Sequence, residues 1–204
     1  MFEDLVVELD PPPKRRNHCR GPKERHLTEA AVMLAYGMHL LRTVPDLQQV
    51  ELHPDGEHGK RFEIAAWLEG RSFVLKERQG KTSYCGIYAG EKQSIVVTSI
   101  PGKGDVVATA QGETIMAECK GGIVNTRHPG QVSRLRKGLC EAVGLLMARP
   151  KGGRQVAVVP HTETTLQLAQ KLASRARDAG IEIALVDHKG NVVDIKPEND
   201  TSVS

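Results

Sequence analysis

The chain has 204 residues, enough for one domain with a full apolar core and a small appendage. Its 39% hydrophobic and 26% charged residues are the balance of a soluble globular protein, and no apolar run approaches the roughly eighteen residues of a membrane span. A net charge of +3 permits a nucleic-acid partner without requiring one, and the 4 cysteines (Cys19, Cys85, Cys119, Cys140), with no C-x-x-C pair among them, read as reduced thiols and carry no zinc-ribbon signature.

The start, Met1-Phe2-Glu3-Asp4, is acidic and lacks the basic and apolar regions of a signal peptide, so a cytoplasmic protein is expected. Residues 1–25 read as a basic, flexible arm. Pro11-Pro12-Pro13 stiffens it, and Lys14, Arg15, Arg16, Arg20, Lys23 and Arg25 follow with Glu24 alone against them. Such an arm suits a phosphate backbone and a solvated terminus equally. His18-Cys19 and His26 find no fourth ligand at usable spacing for a metal.

Residues 26–91 comprise an N-terminal helix and a poorly defined segment. Leu27, Ala31, Leu34, Met38 and Leu41 step by four and three, the stripe of a helix over residues 28–42 with Thr28 as its N-cap and Pro45 beyond its end. Val50-Glu51-Leu52-His53 suggests a short strand and Pro54-Asp55-Gly56 a turn. Phe62, Ala65, Ala66 and Leu68 suggest a short helix around Trp67, closed by Gly70. The neighbours His53, Asp55 and His58 read as a loop of turn formers rather than a metal site, and residues 76–81 as an exposed polar loop or a substrate-contacting insertion.

Residues 92–196 carry the sharpest signals, and residues 197–204 a polar, mobile tail. Ser94-Ile95-Val96-Val97-Thr98-Ser99-Ile100 is a β-branched strand, and Pro101-Gly102 turns the chain into a second, Gly104-Asp105-Val106-Val107-Ala108. Gln111-Gly112-Glu113 is a hairpin turn into a third, which ends Ile115-Met116-Ala117-Glu118-Cys119-Lys120. An antiparallel meander of the three is expected. With a period of two, Ile115, Ala117 and Cys119 share one face, while Glu118 and Lys120 share the other. A carboxylate and an ammonium at the end of an apolar strand need partners, and the hairpin brings Asp105 alongside. A structural Glu-Lys pair is the plain alternative. Gly102-Lys103-Gly104 is not a P-loop, since no G-x-x-x-x-G-K-S/T is present.

A loop over residues 125–130 leads to a helix over 131–148, whose buried stripe is Val132, Leu135, Leu139, Ala142 or Val143, and Leu146. A β-α-β unit follows: a strand over residues 154–159, a helix capped by Thr162 and closed by Gly180, and a second, parallel strand over 181–186. A last short strand covers residues 192–195. Pro160-His161-Thr162 joins strand to helix where a dinucleotide fold carries G-x-G-x-x-G, yet that end leaves room for a small phosphorylated ligand.

Gly104-Asp105, twelve intervening residues and then Glu118-Cys119-Lys120, on two strands followed by Gly121-Gly122 and a long helix, resemble the active site of the PD-(D/E)xK nuclease superfamily, with Gly104 in place of the usual Pro. The resemblance covers residues 92–187 well and the first ninety poorly; its nearest flavour is restriction-type or Mrr-like. It implies an α/β, restriction-endonuclease-like three-layer core, a mixed central sheet flanked by helices, with a C-terminal β-α-β extension. It implies catalytic Asp105, Glu118 and Lys120, with Asp105, Glu118 and the Cys119 carbonyl holding Mg²⁺ or Mn²⁺. Glu29 is an accessory acidic candidate, with Glu24 and Glu63 open beside it, and an ordinary first-turn Glu the alternative. Gln131 is a second accessory candidate, and Arg127, Arg134 and Lys137 are candidate phosphate contacts or simply a solvated face. The implied activity is that of a Mg-dependent deoxyribonuclease, an endonuclease rather than an exonuclease, leaving a 5′-phosphate and a 3′-hydroxyl and working as a homodimer. With 3% aromatic residues the chain has little to stack on single strands, which favours duplex DNA. The alternatives are a catalytically silent DNA-binding or scaffold protein of the same fold, and a small-ligand α/β sensor.

Overall fold

The computed structural model describes residues 5–10, 23–55, 61–80 and 82–197. Lys14, Arg15, Arg16, Arg20, His18 and Cys19 of the expected arm lie outside these residues, as do Gly56, His58, Lys81 and the tail from residue 198.

A mixed sheet of nine strands forms the middle layer, in the order β12-β11-β10-β8-β7-β3-β6-β5-β4. Its central strands are β3 (Gln49–Leu52), β7 (Val106–Ala110), β8 (Glu113–Cys119) and β10 (Arg154–Pro160). To one side lie β11 (Ile181–Val186) and β12 (Val192–Asp194), and to the other β6 (Ser94–Val97), β5 (Gly86–Ala89) and β4 (Val74–Arg78). Alternation along β10 assigns the two outer layers. Val156 and Val158 join the core beneath helix α1 (Glu29–Thr43), whereas Ala157 and Val159 pack with Leu139 of α3 (Pro129–Met147) and Ala169 of α4 (Glu163–Asp178). Helices therefore flank both faces of the sheet. Each fully buried Val, Leu or Ile contributes about 1.5–3 kcal/mol, so the faces are set by many small equal votes.

Local chemistry starts two of the three long helices where the sequence says. The Thr28 hydroxyl accepts from the Ala31 amide at 3.2 Å, with acidic Glu29 in the first turn and Arg42 in the last. Thr162 and Thr165 form a reciprocal capping box on α4. Helix α3 begins two residues before the expected Gln131, because Pro129 needs no amide partner in a first turn and the His128 ring accepts from Gly130 at 3.2 Å. The short helix around Trp67 is α2 (Ile64–Glu69), with Gly70 at its C-cap.

Three expectations need correction. The meander is broken: β7 and β8 pair antiparallel, but β3 lies between β7 and β6 and runs parallel to β6. The connection over residues 98–105 has no tight turn, so it can step across a strand whose Val50 and Leu52 fill the core beneath α1. The first half of the expected polar loop over 76–81 belongs to β4, an edge strand with a register shift between Leu75 and Glu77; Lys76, Glu77 and Arg78 guard an edge, and Gln79 and Gly80 lie beyond it. Within the expected arm, β1 (Val6–Leu9) pairs antiparallel with β2 (Glu24–Leu27), and β9 (Gly122–Ile123) completes a small second sheet, with Leu5 fully buried.

Candidate active site

The β7–β8 turn is two residues long, with Gln111 at φ 51° and Gly112 at φ 82°. Both lie in the left-handed region, as a type I′ turn requires, and its twist matches that of the paired strands. The ladder ends with Val106 opposite Ala117, which leaves Asp105 beside the end of β8 and near enough to Glu118 to feel its charge. The Asp105 amide donates to the Ala117 carbonyl at 2.9 Å and its Oδ2 accepts from the Cys119 amide at 2.7 Å. Both ends of Asp105 are thereby tied to β8.

Ile115, Ala117 and Cys119 point into the core beneath α1, as the period of two requires, which sends Glu118 to the face toward α3. Lys120 stands just past the end of β8 beside Gly138 of α3. Its ammonium lies 3.8 Å from Glu29 Oε2 and 3.4 Å from Glu141 Oε1. Glu29 reaches it because the N-terminus of α1 rests on Gly121; a Cβ there would sit 2.5 Å from the Glu29 amide nitrogen. The sheet end, α1 and α3 thus bring Glu29, Asp105, Glu118 and Lys120 together.

Glu118 is 3% exposed, and Arg149, which follows the end of α3, donates a short hydrogen bond to its Oε1. Burial pushes the Glu29 carboxyl up to about 7, with Asp55, Glu141 and Glu118 adding repulsion and Lys120 opposing them. Burial likewise pushes Asp105 up to about 7; the Cys119 hydrogen bond pulls it back, while Glu118 and Glu29 push it further. For Lys120, burial works against the charge, but Glu29, Asp105 and Glu141 outweigh it and hold the ammonium above its ordinary value. Lys120 is therefore a fixed cation, without the lowered pKa that a general base needs. Burial pushes the Cys119 thiol up, so it is an inert core group.

The donors here are carboxylate oxygens, the set that hard cations such as Mg²⁺ and Mn²⁺ prefer. The crowding that raises Glu29 and Asp105 is also the imbalance a divalent cation relieves. In chemistry the residues fit such an ion. Among the described residues, no three His, Cys, Asp or Glu side chains form a ready-made metal cage, and Glu118 is held by Arg149.

Other expected residues stand apart from this cluster. Gln131 accepts from Arg134 at a marginal 3.5 Å, and Arg127, Arg134 and Lys137 are exposed. Glu24 pairs with His26 at 3.1 Å, and Glu63 is the exposed residue before α2. At the strand-to-helix end proposed for a small ligand, the Thr162 and Thr165 hydroxyls are committed to capping α4, Thr165 also donating to the Pro160 carbonyl. Sequence reasoning missed Glu141 and Arg149. Glu141 comes three residues after Gly138, the glycine beside Lys120, so helical spacing hints at it. Arg149 lies thirty-one residues from Glu118, and no local pattern joins them.

No family model, curated protein or solved structure matches the chain.

Proposed function

We propose that the protein is a metal-dependent nuclease that hydrolyses phosphodiester bonds of duplex DNA, with Asp105, Glu118 and Lys120 as its catalytic residues and Glu29 as an accessory carboxylate. One observation carries this reading: the β7–β8 hairpin ties Asp105 to the end of β8, close to Glu118, at a sheet end that Lys120 and Glu29 also occupy. Stability alone gives no reason to gather three carboxylates in a partly buried place, since an apolar cluster of the same volume would serve as well or better.

In this reading Glu118 and Asp105, with Glu29 beside them, hold Mg²⁺ or Mn²⁺. The bound ion would lower the pKa of a water and offset the negative charge that develops on the phosphate. Lys120, kept charged by its three acidic neighbours, orients the attacking water and contacts the scissile phosphate. The Cys119 amide fixes the direction of the Asp105 carboxylate.

The test is incubation with supercoiled plasmid, linear duplex and single-stranded DNA, each with Mg²⁺, Mn²⁺ or EDTA. Cutting is expected with either metal and not with EDTA, and Asp105→Asn, Glu118→Gln and Lys120→Ala are each expected to lose roughly two orders of magnitude or more in rate while staying folded. Full activity in any of the three would sink the assignment. A second reading, a silent DNA-binding protein of the same architecture, draws support from Arg149, which already neutralises Glu118. DNA retardation without metal-dependent cutting would favour it.

A further inference from the structure

A groove of about 780 Å³ lies beside β8, lined on that strand by Glu113, Thr114 and Met116. Lys103, just before β7, lines it near one end of the hairpin, and the Gln111-Gly112 turn lines it at the other. Its wall is formed by Met116 and by residues 149–153, the connection from α3 to β10. The groove opens beside the candidate active site, because Arg149 both lines it and holds Glu118.

The charge of the groove is lopsided. Lys103, Arg149 and Lys151 line it against a single carboxylate, Glu113. Both lysines are exposed, and among the described residues neither forms an ion pair. Arg149 differs from Arg154 in how it is used. Arg154 spends its fork on Glu182 through three contacts of 2.7–3.0 Å, a closed clasp. Arg149 gives Glu118 one bond from one terminal nitrogen, and 31% of its side chain stays exposed. A guanidinium has five donors, so Arg149 can hold Glu118 and still offer an N–H to an acceptor in the groove.

We infer that this groove seats one sugar-phosphate strand of duplex DNA, with Lys103 and Lys151 neutralising backbone phosphates on the way to Glu118 and Arg149 receiving the phosphate nearest it. The inference rests on the nuclease reading for its choice of polyanion and adds the path the strand takes. Backbone contacts of this kind position the strand without reading sequence.

The experiment is equilibrium binding of the full chain to a short labelled duplex in EDTA across a series of salt concentrations. Lys103→Gln/Lys151→Gln is compared with Lys76→Gln/Lys92→Gln, a pair equal in charge and exposed at the far edge of the sheet. The groove pair is expected to weaken binding about tenfold and to reduce the slope of log K against log salt by about 1.8, roughly 0.9 for each phosphate left without its lysine, with the edge pair close to wild type. Equal weakening in both pairs, undiminished binding in the groove pair, or no binding by the wild type would each overturn the groove. Cutting is scored separately on wild-type protein with metal. Groove-dependent binding without any cutting would keep the groove and sink the nuclease; cutting with undiminished affinity in the groove pair would do the reverse.

Discussion

Glu118 is 3% exposed, and its charge is tolerable there because Arg149 answers it. Removing one partner of such a pair leaves the other buried and uncompensated, which costs about 3–5 kcal/mol at full burial. Arg149 is partly in water, so about 2–3 kcal/mol is expected for Arg149→Met at neutral pH. Glu118→Gln in the same chain should recover most of that loss, since a neutral amide no longer demands a cation. Urea unfolding of the two single variants and the double would show this as a large coupling; additive losses would mean the ion pair contributes little. Lys120 is subject to the same reasoning with the opposite balance. Three acids outweigh its burial, and it stays a permanent charge.

At the scale of elements, the β7–β8 hairpin matters most, because its turn sets which residues face each other. A slip of one position would send Glu118 into the core beneath α1 and Cys119 to the site. Gly112 holds φ 82°, where a β-branched side chain is strained by about 1–2 kcal/mol. Gly112→Val is expected to lower stability by that amount in denaturant unfolding. Gln111→Asn, at φ 51°, is expected to raise it by a few tenths of a kcal/mol, because Asn tolerates that region better. A Gly112→Val variant as stable as wild type would mean the turn does not set the register. The other elements were legible for local reasons: the Thr28 and Thr162 caps, the apolar stripe of α3 and the parallel β10–α4–β11 unit all lie where spacing puts them.

At the scale of the whole molecule, the site costs stability at the pH where it would work. Folded, Glu29 and Asp105 keep their protons up to about 7, against ordinary values of 4.5 and 3.8. Between those limits the folded chain binds more protons than the unfolded one. Their contribution to stability is therefore full below about pH 4, shrinks as pH rises and is gone above about 7. Asp105→Asn removes its share of that dependence. The variant should melt about 3–6 °C above wild type near pH 8, on the order of 1–2 kcal/mol after discounting for solvent exposure, and close to wild type near pH 4. Thermal melts across that range, without metal, decide it; a wild type that gains on the variant as pH rises would refute the linkage. By itself the sequence determined the caps, the apolar faces, the hairpin and, through its period of two, the opposed faces of Glu118 and Cys119, because those depend on neighbours a few residues apart. Tertiary structure alone decided the insertion of β3 between β6 and β7, the partnership of Lys120 with Glu29 and Glu141, and the hold of Arg149 on Glu118. Those contacts join positions far apart in the chain, and they form only when burial of the whole sheet brings their elements together.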